Sequence, residues 1–439
     1  MTYHNAIKYV KRAPREHEQD DKFEHIRTLC GELGDPQKRL PFIRLAGSNG
    51  KTLCGGMLTS ILKQTDITVG YLAMPMREDL KQNIMISCNP LSMEETVGYT
   101  KEVASAVARI NKRRTLEWQN ACDELNDGEP KPSMPSPFVP TSSELLLAIA
   151  LLAFRDKNCK FCLIECDHTS SDPSHFLPAP FAAIICGTIP KGDRHEIARI
   201  RSYICRGIEE IVSAPQDPDA HRILADTCAS VNCRLTLPLK SALGISRLSL
   251  RATEFSYKGH AYTLNLCGRF QVFNALIALE TVEMLGRRGY TIPDKAVMCG
   301  LSSLQIHSKF EVISSMPCII ADSTHTPVAI ETVCDSMTEF RASTGNRVRL
   351  CLPAGELPAQ YLSALAERGY TVERLVLLAA EGEDAPKVDC DIPITVCKTP
   401  KQTAKEALAS LGKDGFLLIS GHIRFTEKVR YELLALLGF

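Results

Sequence analysis

The segment AGSNGKT, residues 46–52, stands between the apolar run PFIRL and the stretch LCGGMLTSILKQ. An apolar run that passes through two glycines into a helix opening on Lys-Thr is the local plan of a phosphate-binding loop, and such loops are built on parallel sheets. Gly47 and Gly50 let the backbone approach an anion with no Cβ in the way, while Ser48 and Asn49 complete the turn. The free N–H groups and the positive helix end then point at the phosphates. Lys51 would carry an ammonium to the terminal phosphates of ATP, and the Thr52 hydroxyl would reach Mg²⁺. Leu53, Met57, Leu58, Ile61 and Leu62 share one face, so this helix is expected to pack on the sheet. A plain strand-to-helix turn would account for the glycines but not for Lys-Thr at the helix start.

The rest of the chain repeats that alternation. Short apolar runs (TVGYLAM, FCLIECD, FAAIICG) are separated by helical stretches near Glu94–Ile110 and over Ser142–Phe154. After an alternating segment from Ile245 to Leu266 and a helix around Asn274–Leu285, a new series begins with CIIADS, VRLCLPAG, LVLLAAEG and FLLISGH. Strands alternating with helices imply mainly parallel sheets with both faces covered. The expected class is α/β, with an N-terminal phosphate-loop nucleotide-binding domain over residues 1–304 and a smaller Rossmann-like α/β domain over 305–439. Residues 112–140, rich in polar groups and proline, read as an exposed loop insertion.

Charge and cysteine usage narrow the partners. Lys and Arg number 51 against 51 Asp and Glu, so no broad basic field exists to attract nucleic acid. The run LLLAIALLAF is far shorter than the roughly twenty residues of a bilayer-spanning helix and reads as a buried helix. Eighteen scattered cysteines, with no apolar leader at the N-terminus, place the chain in a reducing cytoplasm, and Cys159-x-x-Cys162 reads as a structural pair. Small-molecule substrates and a monomer are expected, with neither nucleic acid nor membrane as partner.

Six stretches in order resemble the folylpolyglutamate synthase and dihydrofolate synthase family of the Mur ligase superfamily. They are the lead-in to AGSNGKT, PTSSELLLAIALLAF with CLIEC, EIARIRSYICRGIEEIVSAPQ, GRFQVFNALIAL, FEVISSMPCIIADSTHTP, and LISGHIRFTEKVR. The resemblance implies an ATP-dependent amide ligase that adds glutamate or another amino acid to a folate-like carboxylate through an acyl phosphate. It implies that Thr52 and Glu165 hold Mg²⁺, and that Arg269, Gln271, Asn274, Lys309, Asp322 and His325 lie at the nucleotide, His325 beside the phosphates with Lys51.

Several positions depart from the family pattern. Met74, in AMPM, stands where the family has a magnesium-ligating serine, and a thioether suits a hard cation poorly. Arg201 aligns with a carbamylated lysine, which a guanidinium cannot become. His168, Asp193 and His195 lie near a shortened metal-binding stretch without aligning cleanly, while Asp172 could stand for the Asp of the family. These departures leave a second reading, a diverged nucleotide-binding paralogue without ligase activity in a regulatory or scaffold role.

Overall fold

The structure, a computed structural model, describes residues 1–16, 23–47, 49–77, 79–125, 130–166, 172–189, 191–204, 207–323, 326–355, 357–379 and 391–438. The chain divides into two compact units: residues 1–238 with 280–296, and residues 239–279 with 297–439.

The first unit is built on an eight-stranded sheet. Its order is Asn89–Pro90, Ile84–Ile86, Val69–Leu72, Phe161–Glu165, Phe42–Ala46, Ala182–Ile185, Glu210–Ser213 and Arg234–Thr236. The last six run parallel, and the first two form a hairpin whose inner strand, Ile84–Ile86, is antiparallel to Val69–Leu72. Phe42–Ala46 is therefore central, and burial of all five residues explains why apolar side chains fall on both faces; the exception, Arg44, donates from Nη2 to the Ser174 carbonyl at 2.8 Å. Leu45 lies opposite both Glu165 and Ile184, so three strands end at one edge, where ligands bind in such sheets.

The apolar run forms the helix Ser142–Asp156, buried from Glu144 to Phe154. It starts at a capping box: the Thr141 hydroxyl accepts from the Glu144 N–H, and the Glu144 carboxylate accepts from the Thr141 N–H at 2.7 Å. Each leucine it buries contributes about 1.5–3 kcal/mol, which makes this helix the keystone of its layer. None of the described helices is long and apolar enough to cross a membrane.

The helix expected near Glu94–Ile110 runs further, from Met93 to Asp123, so the first part of the expected loop 112–140 is helical. No glycine or proline interrupts residues 112–127, and polar composition alone does not end a helix. Only Thr96, Thr100, Val103, Ala106 and Ile110 are buried, which leaves the extension without apolar periodicity. Asn111 Nδ2 donates to the Phe138 carbonyl at 3.0 Å and Trp118 Nε1 to the Pro132 carbonyl at 2.9 Å, tying the following segment back.

The second unit holds a three-stranded antiparallel sheet, Leu243–Leu248, Thr253–Tyr257 and His260–Leu264, and a six-stranded sheet. The larger sheet has the order Glu311–Ser315, Cys318–Asp322, Phe416–Ser420, Arg347–Pro353, Thr371–Leu378 and Ile394–Cys397, parallel except at its first pair. Ile320, Leu350 and Leu418 face the helices Pro327–Glu339 and Leu357–Glu367, while Ile319, Cys351 and Leu417 face Pro400–Leu408 and Ile423–Leu437. That alternation is the Rossmann-like arrangement expected of the C-terminal series.

The division by contacts is not a single cut at residue 304. Leu248, Leu250 and Phe270 pack on the core of the six-stranded sheet, which groups residues 239–279 with the C-terminal series. Conversely, Tyr290 meets Phe161 edge-on with ring centres 5.2 Å apart, and Arg287 pairs with Glu210, which groups residues 280–296 with the first unit.

Candidate functional site

The phosphate loop has the geometry its residues require. Gly47 has φ +115° and Gly50 φ +82°, both in the region that favours glycine, and Gly50 caps the helix Lys51–Leu62. A Cβ at Gly47 would lie 2.0 Å from the Cys186 carbonyl oxygen. The neighbouring strand end therefore fixes glycine there independently of the dihedral. Gly187 reaches the loop from the same strand, its Cβ position 3.1 Å from the Asn49 carbonyl oxygen. Ser48 lies outside the described residues.

Lys51 folds back so that Nζ donates to the Gly47 carbonyl at 2.8 Å, leaving the side chain only 6 % exposed. Burial lowers its pKa, Glu165 works in the opposite sense, and Arg199 adds to the lowering. A cation thus sits desolvated at the strand edge, an arrangement suited to an anionic ligand.

Glu165, at the end of its strand, is 1 % exposed. Its carboxylate accepts from the Tyr71 hydroxyl and from the Met74 N–H, the latter at 3.2 Å. Burial and the charge on Glu165 push the Tyr71 hydroxyl well above the ordinary tyrosine range, so it remains a donor. Tyr71 also interacts with the Thr52 hydroxyl, and so lies between the two expected metal ligands. Met74 contributes its backbone to Glu165 rather than an oxygen ligand.

The loop after Leu72 is held by Asn83. Its Nδ2 donates to the carbonyls of Ala73 (2.7 Å) and Pro75 (3.0 Å), and its Oδ1 accepts from the Arg77 N–H at 2.9 Å. Arg77 Nη2 in turn approaches the Thr52 hydroxyl at 3.4 Å. Tyr71, Arg77 and Asn83 are site residues that the sequence does not announce. A tyrosine in the strand next to the one bearing Glu165 is the only available signal, and it depends on knowing the strand order.

Beside the loop, Asp172 is 1 % exposed and accepts from the Ser174 N–H and the Tyr203 hydroxyl, each at 2.8 Å. Tyr203 stacks on His175 with ring centres 4.5 Å apart. Arg201 is exposed, as is His195, and Asp193 caps the helix Arg194–Ser202 by accepting from the Glu196 N–H at 2.9 Å. His168 lies outside the described residues.

Burial, with Arg44 nearby, lowers the His175 pKa to about 4. Between about pH 6.5 and pH 4 the unfolded chain binds the proton that the folded chain refuses, so His175 makes stability fall as pH drops through that window. Thermal melts at pH 7 and pH 5 are expected to show a larger loss for the wild type than for His175→Phe. Equal losses would mean that His175 titrates normally.

In the second unit the expected residues form their own cluster. Gln271 Nε2 donates to the Lys309 carbonyl at 3.2 Å, Asn274 Nδ2 approaches Gln271 Oε1 at 3.5 Å, and the Arg269 N–H donates to Glu339 at 2.9 Å. Asp322 accepts from the Phe310 N–H at 2.7 Å. Ser308 and Phe310, either side of Lys309, have φ of +56° and +55°. For a bulky residue such as phenylalanine this is a strained conformation of the kind concentrated at ligand sites. His325 lies outside the described residues.

Among the described residues no cluster of three His, Cys, Asp or Glu side chains could hold a metal by itself, and none of the described cysteines is in a disulfide. Cys159 and Cys162 are both buried, as a structural pair should be.

A glycine-gated strand–loop–helix with a buried lysine, on a mainly parallel sheet, followed by a second α/β unit, defines a two-unit phosphate-loop protein. No family model matches the chain. It is 22 % identical to folylpolyglutamate synthase of Lacticaseibacillus casei, over 84 % of this chain and 83 % of that protein. It is 21 % identical to the dihydrofolate synthase/folylpolyglutamate synthase of Bacillus subtilis, over 93 % and 94 % respectively. Among solved structures, the Mycobacterium tuberculosis folylpolyglutamate synthase complexed with ADP superposes with a TM-score of 0.76 at 19 % identity, covering 98 % of each chain. Over most of its length the chain is thus similar to enzymes named folylpolyglutamate synthase and dihydrofolate synthase, and it shares the fold of the solved ones.

Proposed function

We propose that the protein is an ATP-dependent amide ligase that joins glutamate, or another amino acid, to the carboxylate of a folate-like acceptor. The acceptor carboxylate takes the terminal phosphoryl group of ATP, ADP leaves, and the amino group of the incoming amino acid displaces phosphate to leave an amide. The observation that carries this reading is the buried Lys51 ammonium beside the Gly47 turn, at the edge where Glu165 ends its strand. The likeness to enzymes named for folate glutamylation supplies the substrate class.

The chain's residues divide the work. Gly47 and Gly50 let main-chain N–H groups approach the phosphates, and Lys51 places positive charge where negative charge accumulates in the transferring group. Thr52 and Glu165 would hold Mg²⁺. Both are hard oxygen donors near the Tyr71 hydroxyl, and this ion needs only one or two protein ligands when phosphates supply others. When bound, it neutralises charge on the phosphate oxygens. The residues do not fit a second ion at Met74 and Arg201, because one offers a thioether and the other is an exposed guanidinium. By resemblance, Arg269, Gln271, Asn274, Lys309, Asp322 and His325 serve the nucleotide. Residues 1–304 and 305–439 are the proposed functional domains, in a monomer acting in the cytoplasm, a setting supported by the free thiols.

The test is phosphate release from ATP and Mg²⁺ with glutamate, with and without dihydropteroate or tetrahydrofolate. Acceptor-dependent release with an amide product is expected. Nucleotide binding with no acceptor-dependent release, across a panel of folates and amino acids, would replace the ligase with a nucleotide-binding paralogue.

A further inference from the structure

Two guanidinium groups lie near the phosphate loop on either side of its strand: Arg77 reaches the Thr52 hydroxyl at 3.4 Å, and the charge of Arg199 acts on Lys51. In the sheet order, Phe42–Ala46 is flanked by Phe161–Glu165, with Val69–Leu72 beyond it, on one side, and by Ala182–Ile185 on the other. Arg77 follows Val69–Leu72, and Arg199 lies on the helix that follows Ala182–Ile185.

Arg77 is half-buried. Its backbone is pinned by Asn83 at 2.9 Å, and its Nη2 stands 3.4 Å from the Thr52 hydroxyl, at the first turn of the loop helix. No described carboxylate forms an ion pair with it at contact distance.

Arg199 is placed by its neighbours. Its Nε donates to Glu196 at 2.9 Å, and its side chain is 18 % exposed. Tyr203, one turn further along the helix, packs with Ala46 and Cys166, the residues at the ends of the loop strand and of the Glu165 strand. Nη1 of Arg199 is buried and has no hydrogen-bond partner among the described residues. Burial works against its charge, but Glu196 and then Tyr203 beside it hold the guanidinium protonated. A buried N–H with no acceptor costs about 1–3 kcal/mol, so an anion that accepts from it recovers that cost.

We propose that Arg77 and Arg199 clamp the phosphate oxygens of the bound nucleotide, one from each side of Lys51, and supply by hydrogen bonding much of the charge neutralisation this site needs. A planar guanidinium presents paired donors to phosphate oxygens, which a lysine or a weakly ligating thioether cannot do. The proposal rests on the nucleotide reading above and adds the identity of the groups that hold the phosphates.

The test is ATP binding by calorimetry in EDTA and again with Mg²⁺, using the wild type, Arg77→Gln and Arg199→Gln. The wild type is expected to retain ATP in EDTA. Each variant is expected to weaken that binding about 10- to 100-fold, the loss of one or two charge-assisted hydrogen bonds, and Mg²⁺ should restore part of it. Affinities for both variants within about twofold of wild type in EDTA overturn the clamp while leaving the nucleotide reading intact. No ATP binding by the wild type in either condition overturns both. Should a variant unfold, phenylglyoxal modification of the wild type decides: ATP should protect Arg77, and equal modification with and without ATP overturns the proposal.

Discussion

Lys51→Ala is expected to lower acceptor-dependent phosphate release by about 100-fold or more, the scale seen when one group that stabilises developing charge is removed. The reason is local. The ammonium is held at the strand edge by the Gly47 carbonyl at 2.8 Å, in a side chain only 6 % exposed. Arg199 contributes to lowering the Lys51 pKa and lies nearby, but its Nε is committed to Glu196. Phosphate release and circular dichroism on the same preparation check this. A folded variant with wild-type release would remove Lys51 from the reaction.

Gly47→Ala is expected to destabilise the first unit by about 3 kcal/mol or more, because two costs coincide: backbone strain at positive φ and overpacking. The new Cβ would stand 2.0 Å from a backbone oxygen, Cys186 O, and this backbone, just past the strand Ala182–Ile185 and held by the Cys186 N–H donating to the Ala46 carbonyl at 2.8 Å, cannot swing aside as a side-chain tip can. Gly31→Ala is the contrast. That glycine lies in the helix Glu24–Glu32 with nothing within 4 Å of its Cβ position, so alanine there is expected to be neutral or to stabilise by about 1 kcal/mol. Thermal melts of both variants against wild type test the pair. A Gly47→Ala protein that melts with the wild type would mean that the loop has room the geometry denies.

What the sequence reveals and what it hides follow from the range of each signal. The loop is legible because all its parts lie within seven residues, and each glycine has a conformational reason to be there. The buried helix Ser142–Asp156 and the parallel strands are legible because burial on all sides leaves near-continuous apolar runs, broken only at a cap or a strand end as by Glu144 and Glu165, or by a single paired charge such as Arg44. Glu165 is legible as a strand-end carboxylate, and the structure adds that Tyr71 and the Met74 N–H orient it.

Tyr71, Arg77 and Arg199 are not legible, since their place at the loop depends on the order of strands in the sheet. That order inserts Phe161–Glu165 between two strands that are consecutive among the parallel ones of the chain. Arg201 draws attention in the sequence because it aligns with a functional lysine, yet it is exposed, and Arg199, two residues earlier, is the cation that faces inward. A helix turns by 100° per residue, so a two-residue offset exchanges solvent for site. The extension of Met93–Asp123 was hidden for a different reason: a solvated helix has no apolar period to read.

The central claim is that the turn between the strand Phe42–Ala46 and the helix Lys51–Leu62 grips the phosphates of ATP. Calorimetric titration of the wild-type protein with ATP and Mg²⁺ tests it most directly. The account predicts one ATP per chain, displaced competitively by ADP and lost in Lys51→Ala. Saturable ATP binding that is unchanged in Lys51→Ala, or no binding to the wild type at millimolar ATP, would contradict it.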